Sequence, residues 1–518
     1  MRPRLIVSLL FCILGILVLV SGCTTASPGP VPESDGTPAA AVAIMEKPLY
    51  PYTTWGYKVV DIATGQVLAE KNTGILFTPG STVKLFTTAA ALDLLGPDYR
   101  FRTPVYALGI TAEDGAPATN LVLVASGDPT MGGRSLPNDT IEFTNADHCD
   151  ANGLPGTEMT TTDLLTGLDS LAAQVKAAGI TRARDVIIDD RLFKTEKLAD
   201  PAPVTPIYIN DNLIDILITP GADGSRATVT SRPQSALFYV EADVTTGGSE
   251  PDISITESGG VISVSGSIPK DQAPYLRTFV ISDSGAWARS LFIDALERQG
   301  VAVDAPATGT NPRGSLPADY AGQKPVALLT SPPFSENVKL ILKVSQNIHA
   351  NALLGIMAAH ERKTMVEEGL LIEGDYLRRI GVNPASLSLI DGEGSSGNRV
   401  SPDAAIDLLR VMAAGNTSRV YRAAMPVLGI DGSLAGAAAP DNPAIGKITA
   451  KTGTSIQSDM NGDLMLVAKG LAGYMTTRSG RDVMFVLYAN NVRISSLEDL
   501  MAINMDMGSF AGVLYEAF

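Results

Sequence analysis

Three short motifs lie far apart in this chain, and their spacing constrains the fold more than any other feature. They are, in order, Ser81-Thr82-Val83-Lys84, Ser345-Gln346-Asn347 and Lys451-Thr452-Gly453-Thr454. About half of the 518 residues separate the first motif from the second, which is far more than one helical subdomain needs. A chain of this length is also too long for one ordinary domain. We therefore expect whole domains to be inserted between the first two motifs.

The first motif opens a helix predicted over residues 81–95, directly after a Thr-Pro-Gly break. This helix is apolar around most of its circumference, which is typical of a central, buried helix. Ser81 and Lys84 are three residues apart and share one face. Burial lowers the pKa of a lysine, so Lys84 could accept the proton of Ser81 and make its hydroxyl a nucleophile. Taken alone, the pair also fits a helix-capping serine and a lysine that extends to solvent.

The second motif lies between helices predicted over residues 336–344 and 348–361. The hydroxyl of Ser345 can relay a proton to a leaving amine, and the amide of Asn347 can hold a substrate backbone. By itself the triplet equally fits an ordinary turn between two helices.

The third motif lies on a predicted strand. Lys451 and the hydroxyls of Thr452 and Thr454 can bind a carboxylate, and Gly453 lets a substrate backbone approach closely. The main-chain N–H of Thr454 could pair with that of Ser81 to form an oxyanion hole. Alone, this motif also fits a polar strand end.

Together the motifs resemble those of D-alanyl-D-alanine carboxypeptidases/endopeptidases, the low-molecular-mass class C penicillin-binding proteins, and the resemblance covers residues 46–518. Further stretches support it: Ser126-Gly127-Asp128-Pro129-Thr130, Val186-Ile187-Ile188-Asp189-Asp190, Tyr208-Ile209-Asn210-Asp211 and Asp391-Gly392-Glu393-Gly394-Ser395. The family's nucleophile, base, relay and oxyanion roles would fall on Ser81, Lys84, Ser345, Asn347, Lys451, Thr452 and Thr454. Glu393 departs from the family, which usually has a smaller polar residue there.

The resemblance implies an α+β fold, in which large inserted α/β and β-rich domains split a penicillin-binding-protein/β-lactamase-like transpeptidase domain. An antiparallel sheet covered by helices would form that domain. Changes in composition and in the strand-like or helical pattern along the chain suggest the domain boundaries. We expect a lipoprotein signal peptide at 1–22, a flexible tether at 23–45, the catalytic domain at 46–104 and 326–518, one inserted domain at 105–199 and 277–325, and a second at 200–276.

The N-terminus has the pattern of an export signal. A basic start and an apolar run over residues 5–20 end in Val-Ser-Gly before Cys23, which resembles a bacterial lipobox. We expect Cys23 to be lipidated, although an uncleaved anchor or an ordinary signal with an incidental cysteine fits the same text. Cys149 has no obvious partner, so no disulfide framework is expected.

The resemblance implies a serine D,D-peptidase of the cell envelope. It would cleave peptidoglycan stem peptides, be acylated by β-lactam antibiotics, attach to the membrane through Cys23 and need neither metal nor organic cofactor. The formal charge of −16 argues against nucleic acid as a partner. A β-lactamase or esterase on the same fold, or a non-catalytic cell-wall binding protein, remains an alternative.

The histidines and possible metal ligands of the sequence give little support to a Ser-His-Asp triad or a metal site. Three histidines leave few candidates for a Ser-His-Asp triad, and we expect a structural role for His349. Asp147-His148-Cys149-Asp150 has metal-ligand residue types, but consecutive side chains point apart. We expect no metal there and a surface loop over residues 132–157.

Overall fold

The structure is a computed structural model that describes residues 36–111 and 117–518. The predicted signal peptide and Cys23 lie outside the described residues. The α-helices are α1 (Ala39–Met45), α2 (Lys84–Leu95), α3 (Thr166–Ala177), α4 (Ser284–Arg298), α5 (Phe334–Val344), α6 (Asn347–His360), α7 (Val366–Arg379), α8 (Pro402–Ala414), α9 (Ser418–Ala424) and α10 (Leu497–Ala517).

The strands follow the same chain order. They are β1 (Thr54–Asp61), β2 (Val67–Lys71), β3 (Arg102–Thr111), β4 (Pro117–Val124), β5 (Arg182–Ala183), β6 (Asp185–Asp189), β7 (Leu213–Thr219), β8 (Thr228–Arg232), β9 (Tyr239–Thr246), β10 (Asp252–Ser258), β11 (Val261–Ile268), β12 (Tyr275–Val280), β13 (Ala302–Val303), β14 (Ala327–Thr330), β15 (Leu387–Ser388), β16 (Arg399–Val400), β17 (Ile448–Ser458), β18 (Leu464–Thr476), β19 (Asp482–Asn490) and β20 (Val492–Ile494).

One antiparallel sheet combines the two ends of the described chain. Its order is β17-β18-β19-β1-β2, with β20 beside β18, and every neighbouring pair is antiparallel. This confirms the prediction that the N-terminal hairpin and the C-terminal strands form one sheet. Two separate runs predicted at 463–468 and 470–475 are instead the single strand β18. Strand β17 carries the third motif at the edge of the sheet.

Helix α2 lies at the centre of the helical layer, as its apolar sequence predicts. Residues 84–92 are all buried, and α5, α6 and α7 pack around the helix. The predicted helix starts later than expected, because Gly80–Val83 form a 3₁₀ turn that packs against β17 and β18. Ser81 therefore lies in this turn rather than in the α-helix.

The residues between the first two motifs build three further sheets of three or four strands, and the short strands β5 and β13 form a separate parallel pair. The orders of the three sheets are β14-β3-β4-β6, β12-β7-β8 and β10-β11-β9. Helices α3 and α4 pack together beside the first of these, around a separate cluster of buried apolar side chains that includes Trp287 and Ile188. Strand β14 pairs with β3, so residues 102–104 and 327–330, assigned from sequence to the catalytic domain, belong to this sheet.

The predicted tether ends earlier than residue 45. Helix α1 buries Ala41 and Ile44, and it packs against α10 in the same apolar cluster as the main sheet. The apolar side chains of α1 recur at a helical spacing, which lets the helix bury one face although the neighbouring residues are mostly small. Within residues 36–111 and 117–518, no helix has the length and hydropathy needed to cross a membrane.

Candidate active site

Ser81 and Lys84 meet at the base of the site. The Nζ of Lys84 lies 2.9 Å from the Oγ of Ser81, and Ser81 is half-buried while Lys84 has no exposed surface. Two further hydrogen bonds hold the same Nζ, to the Oδ1 of Asn347 at 2.6 Å and to the main-chain oxygen of Glu393 at 2.8 Å. The structure thus brings the predicted pair together with Asn347 from the second motif.

The three contacts of Lys84 determine which way a neutral amine can point. The oxygens of Asn347 and Glu393 are acceptors only, so each must receive one of the two N–H bonds of the amine. The lone pair then faces the hydroxyl of Ser81, in the geometry needed for proton transfer. Burial lowers the pKa of Lys84, and the negative charges of Glu393, Asp150 and Asp391 partly oppose this shift.

A tight loop presents the carbonyl of Glu393 to Lys84. The Oδ1 of Asp391 accepts the main-chain N–H groups of Glu393 at 3.1 Å and Gly394 at 2.7 Å, which fixes the turn. Gly394 has φ 101°, and a Cβ there would lie 2.0 Å from the main-chain oxygen of Gly80. The sequence pointed to Glu393 only as an unusual residue, whereas its contact with Lys84 is made by the main chain.

The second and third motifs are linked by one hydrogen bond. The Nζ of Lys451 donates to the Oγ of Ser345 at 2.8 Å and to the main-chain oxygen of Thr452 at 2.8 Å. Ser345 has left-handed backbone angles, with φ 67°, between α5 and α6. Lys451 has no exposed surface, and burial together with the charge of Lys84 holds its pKa well below the usual range.

Gly453 allows β17 to lie directly against the turn that carries Ser81. A Cβ at Gly453 would lie 2.3 Å from the main-chain oxygen of Pro79 and 3.3 Å from the main-chain nitrogen of Ser81. A Cβ at Gly80 would lie 2.7 Å from the main-chain nitrogen of Thr454. Gly453 is therefore needed for more than the approach of a substrate. A side chain at this position would push β17 away from Ser81.

Three carboxyl groups that the sequence did not assign to the site lie near enough to Lys84 to interact with its charge. Burial raises the pKa of Glu393 to about 7 and that of Asp150 to about 6, and the charge of Lys84 opposes both shifts. Asp200 reaches the same region: burial raises the pKa of its carboxyl, while the charge of Lys84 and the nearby side chains of Glu393 and Asn347 oppose the shift. Asp150 and Asp200 come from the inserted residues, so only the tertiary structure could reveal their position.

A buried network behind the second motif was also missed. The carboxylate of Asp211, which has φ 56°, accepts hydrogen bonds from Gln346 at 2.9 Å and Arg134 at 2.9 Å. It also contacts His148 at 2.9 Å and His349 at 2.7 Å. Burial opposes ionisation, yet the charges of Arg134 and His349 hold the pKa of Asp211 well below its usual range. The predicted structural role of His349 agrees with its contact to Asp211.

The segment 132–157 is not simply the predicted surface loop. Arg134, Asp147 and His148 are buried, and the Arg134 guanidinium pairs with the Asp147 carboxylate at 2.7 and 3.0 Å. Possible ligand atoms of Asp147, His148 and Asp211 lie within 4.8 Å of one another, a spacing that would suit a metal. Arg134 already supplies positive charge to both carboxylates, so the group is better described as an ion network.

Comparison with known proteins places this geometry in a family. Residues 39–511 match the model of the D-Ala-D-Ala carboxypeptidase 3 (S13) family. The chain is 28% identical to a D-alanyl-D-alanine carboxypeptidase of Actinomadura sp. (strain R39), with 91% of this chain and 84% of that protein covered. It is 22% identical to the D-alanyl-D-alanine carboxypeptidase DacB of Haemophilus influenzae, with 86% of each covered.

A solved structure shows the same fold. The crystal structure of penicillin binding protein 4 (dacB) from Haemophilus influenzae superimposes with a TM-score of 0.67 at 21% identity, covering 92% of this chain and 99% of that one. This confirms the predicted α+β fold of the penicillin-binding-protein/β-lactamase-like type. Because the family model spans nearly all the described residues, this chain belongs to the D-Ala-D-Ala carboxypeptidase 3 (S13) family.

Proposed function

We propose that this protein is a serine D,D-peptidase of the cell envelope that forms an acyl-enzyme on Ser81. Its substrates are peptidoglycan stem peptides that end in D-Ala-D-Ala, or cross-links made through D-Ala. β-Lactam antibiotics imitate that terminus and acylate the same hydroxyl. Membership of the S13 family supports the reaction class, and the contact between Lys84 and Ser81 supports the residue assignment.

The observation that carries the proposal is the set of three hydrogen bonds at the Nζ of Lys84. Two go to obligate acceptors, so a neutral amine directs its lone pair at Ser81. Lys84 takes the proton of Ser81 as its Oγ attacks the carbonyl carbon of the penultimate D-Ala. The oxyanion that forms is stabilised by the main-chain N–H groups of Ser81 and Thr454, each typically worth about 3–4 kcal/mol of barrier lowering.

The proton then returns to the leaving group. Lys451 donates to the Oγ of Ser345, which leaves the hydroxyl hydrogen of Ser345 free to point towards the leaving nitrogen. The proton that Lys84 accepted passes through this hydroxyl as the C–N bond breaks, so Lys84 is neutral again. Water attacks the acyl-enzyme and gives a proton to Lys84, which passes it to the Oγ of Ser81 as the ester bond breaks, so both groups are restored. Asn347, Thr452 and Gly453 align the substrate beside β17.

Labelling with a fluorescent penicillin tests this proposal. Wild-type protein and a Ser170→Ala control, changed on the exposed side of α3, should both carry a stable label. Ser81→Ala should carry none, and only the first two proteins should release D-alanine from a stem pentapeptide. A label that persists in Ser81→Ala would refute the nucleophile assignment. Rapid turnover of penicillin without release of D-alanine would indicate a β-lactamase instead.

We also propose that the protein is exported and anchored by a lipid on Cys23, on the basis of the residues before it. Residues 102–199 with 281–330, and residues 200–280, act as inserted domains that deliver Asp150, Asp200 and Asp211 to the catalytic region. Mass spectrometry of membrane-extracted protein would detect the lipid, and Cys23→Ser would release the protein from the membrane fraction. Retention of Cys23→Ser on the membrane would contradict this anchor.

A further inference from the structure

A buried lysine lies beside the third motif and, in the part of the chain that the structure describes, makes hydrogen bonds only to neutral groups. Lys469 of β18 stands directly opposite Thr454 of β17 and is 5% exposed. Its Nζ donates to the Oγ1 of Thr454 at 2.9 Å and to the Oδ1 of Asn504 on α10. Both acceptors are neutral. Among residues 36–111 and 117–518, no carboxylate lies within ion-pair distance of this ammonium.

An unpaired buried charge is costly, so its position calls for an explanation. Burial alone lowers the pKa of Lys469 to about 8, with no neighbouring carboxylate to restore it. Buried charges in proteins are generally paired or neutralised. Within residues 36–111 and 117–518 Lys469 has only neutral hydrogen-bond partners, so its charge is placed to act on an anion that comes from outside the chain.

The register of the sheet directs Lys469 to the same side of β17 as the threonines of the third motif. Residues alternate between the two faces of a strand, and Ile448 and Ala450 pack in the apolar cluster that includes residues of α10. Thr452 and Thr454 continue that alternation, and Leu471 of the same cluster places Lys469 on this face too. The register shift of β17 comes after Ser455 and so does not change this assignment.

The lysine of β17 itself is already engaged elsewhere. Lys451 faces the second motif, where its Nζ bonds the Oγ of Ser345 and the main-chain oxygen of Thr452. The hydroxyl of Thr452 is held in turn by Ser433 at 2.7 Å. The cation behind the exposed hydroxyl of Thr454 is therefore Lys469.

We propose that Lys469 is a specificity-determining residue that, through Thr454, recognises the free α-carboxylate of the residue that leaves during acylation. This inference rests on the proposed function. It restricts the substrates to peptides whose leaving D-residue carries that carboxylate: a terminal D-alanine, or the D-centre of a diamino acid in a cross-link. A peptide whose C-terminal carboxylate is replaced by a carboxamide keeps the scissile bond. It lacks the negative charge, so it loses the interaction with Thr454 and Lys469.

Two matched substrates test the inference. We would measure kcat/KM for an acyl-D-Ala-D-Ala peptide and for the same peptide with a C-terminal carboxamide, following D-alanine or D-alaninamide by mass spectrometry. Wild-type enzyme should prefer the free acid by about 10- to 100-fold, as expected for a hydrogen bond to a charged group. Lys469→Met should lose this preference because kcat/KM falls for the acid alone. Lys469→Arg should retain most of it.

The outcomes separate this inference from the proposed function. If wild-type enzyme cleaved both peptides equally well, the D,D-peptidase would stand and the role of Lys469 would be refuted. Equal losses on both peptides in Lys469→Met, with no rescue by Lys469→Arg, would show a merely structural lysine. Cleavage of neither peptide by the wild type, without penicillin labelling of Ser81, would refute both proposals. Melting temperatures check the variants, and Lys469→Met should not be less stable, since it removes an unpaired buried charge.

Discussion

The Oδ1 of Asp211 lies 2.7 Å from the Nε2 of His349, and this contact joins the inserted residues to the helix that begins at Asn347. The other oxygen of the same carboxylate accepts the side-chain N–H of Gln346 at 2.9 Å. Gln346 lies between Ser345 and Asn347, and His349 follows Asn347 by two residues in the first turn of the helix. The turn that holds the second motif therefore rests on a carboxylate supplied by the insertion.

Replacing Asp211 should weaken both the fold and the reaction. In Asp211→Asn the cations of Arg134 and His148 lose a shared buried anion, and breaking such a pair typically costs about 3–5 kcal/mol of unfolding free energy. Penicillin acylation should slow as well, because the Ser345 turn loses its support. Urea denaturation and labelling kinetics measure the two effects. Asp139→Asn breaks an exposed pair with Arg100 and should change neither. Equal behaviour of the two variants would contradict the role of Asp211.

The charge of His148 should make stability depend on pH. Burial disfavours the charged ring, yet the carboxylates of Asp215 and Asp147 raise its pKa to about 10, from about 6.5 in an unfolded chain. A raised folded pKa gives stability that is fully present below the unfolded pKa and is lost as the pH rises through the folded one.

The difference in unfolding free energy between wild type and His148→Gln should therefore shrink as the pH rises from about 6.5 to about 10. Urea titrations at several pH values measure it. His360→Gln, at the exposed end of α6, is the control and should give a small difference at every pH. A difference for His148→Gln that stayed constant or grew with pH would show that the ring is not held as a cation.

Local patterns were enough to predict the elements that carry the motifs. The apolar circumference of α2, the break before it and the alternation of β17 are properties of neighbouring residues. Asp211 and Lys469 could not be found in this way, because their roles depend on partners far along the chain and on strand register. The contact of Glu393 with Lys84 is made by a main-chain oxygen, which no residue pattern encodes.

Glu393 should adjust the pH at which the enzyme becomes active. Its negative charge raises the pKa of Lys84 against the larger lowering by burial, and kcat/KM increases as Lys84 loses its proton. Glu393→Gln keeps the main-chain contact but removes the charge, so the pKa of Lys84 falls further. The acid limb of the profile of kcat/KM against pH should therefore move to lower pH.

The matched control for Glu393→Gln is Glu367→Gln, on α7 and exposed. It should leave the profile unchanged, because it lies outside the site. D-Alanine release from a stem peptide, measured from about pH 5 to pH 9, gives both curves. A shift of the acid limb to higher pH in Glu393→Gln would mean that this carboxylate does not act on Lys84 through its charge.

Gly453 should tolerate no side chain, although it lies in a regular strand. A Cβ there would meet the main-chain oxygen of Pro79 at 2.3 Å, and main-chain atoms cannot move aside as a flexible side chain can. Gly453→Ala should therefore cost about 1–3 kcal/mol of unfolding free energy and slow penicillin acylation about 100-fold by displacing β17 from Ser81.

Gly109→Ala is the matched control, because Gly109 also lies in a strand but has no atom within 4 Å of an added Cβ. It should be neutral or stabilising by up to about 1 kcal/mol, since alanine restricts the unfolded chain. Thermal unfolding and labelling rates measure both variants, and a fully active Gly453→Ala would show that the strand can move away from the turn without disturbing the nucleophile.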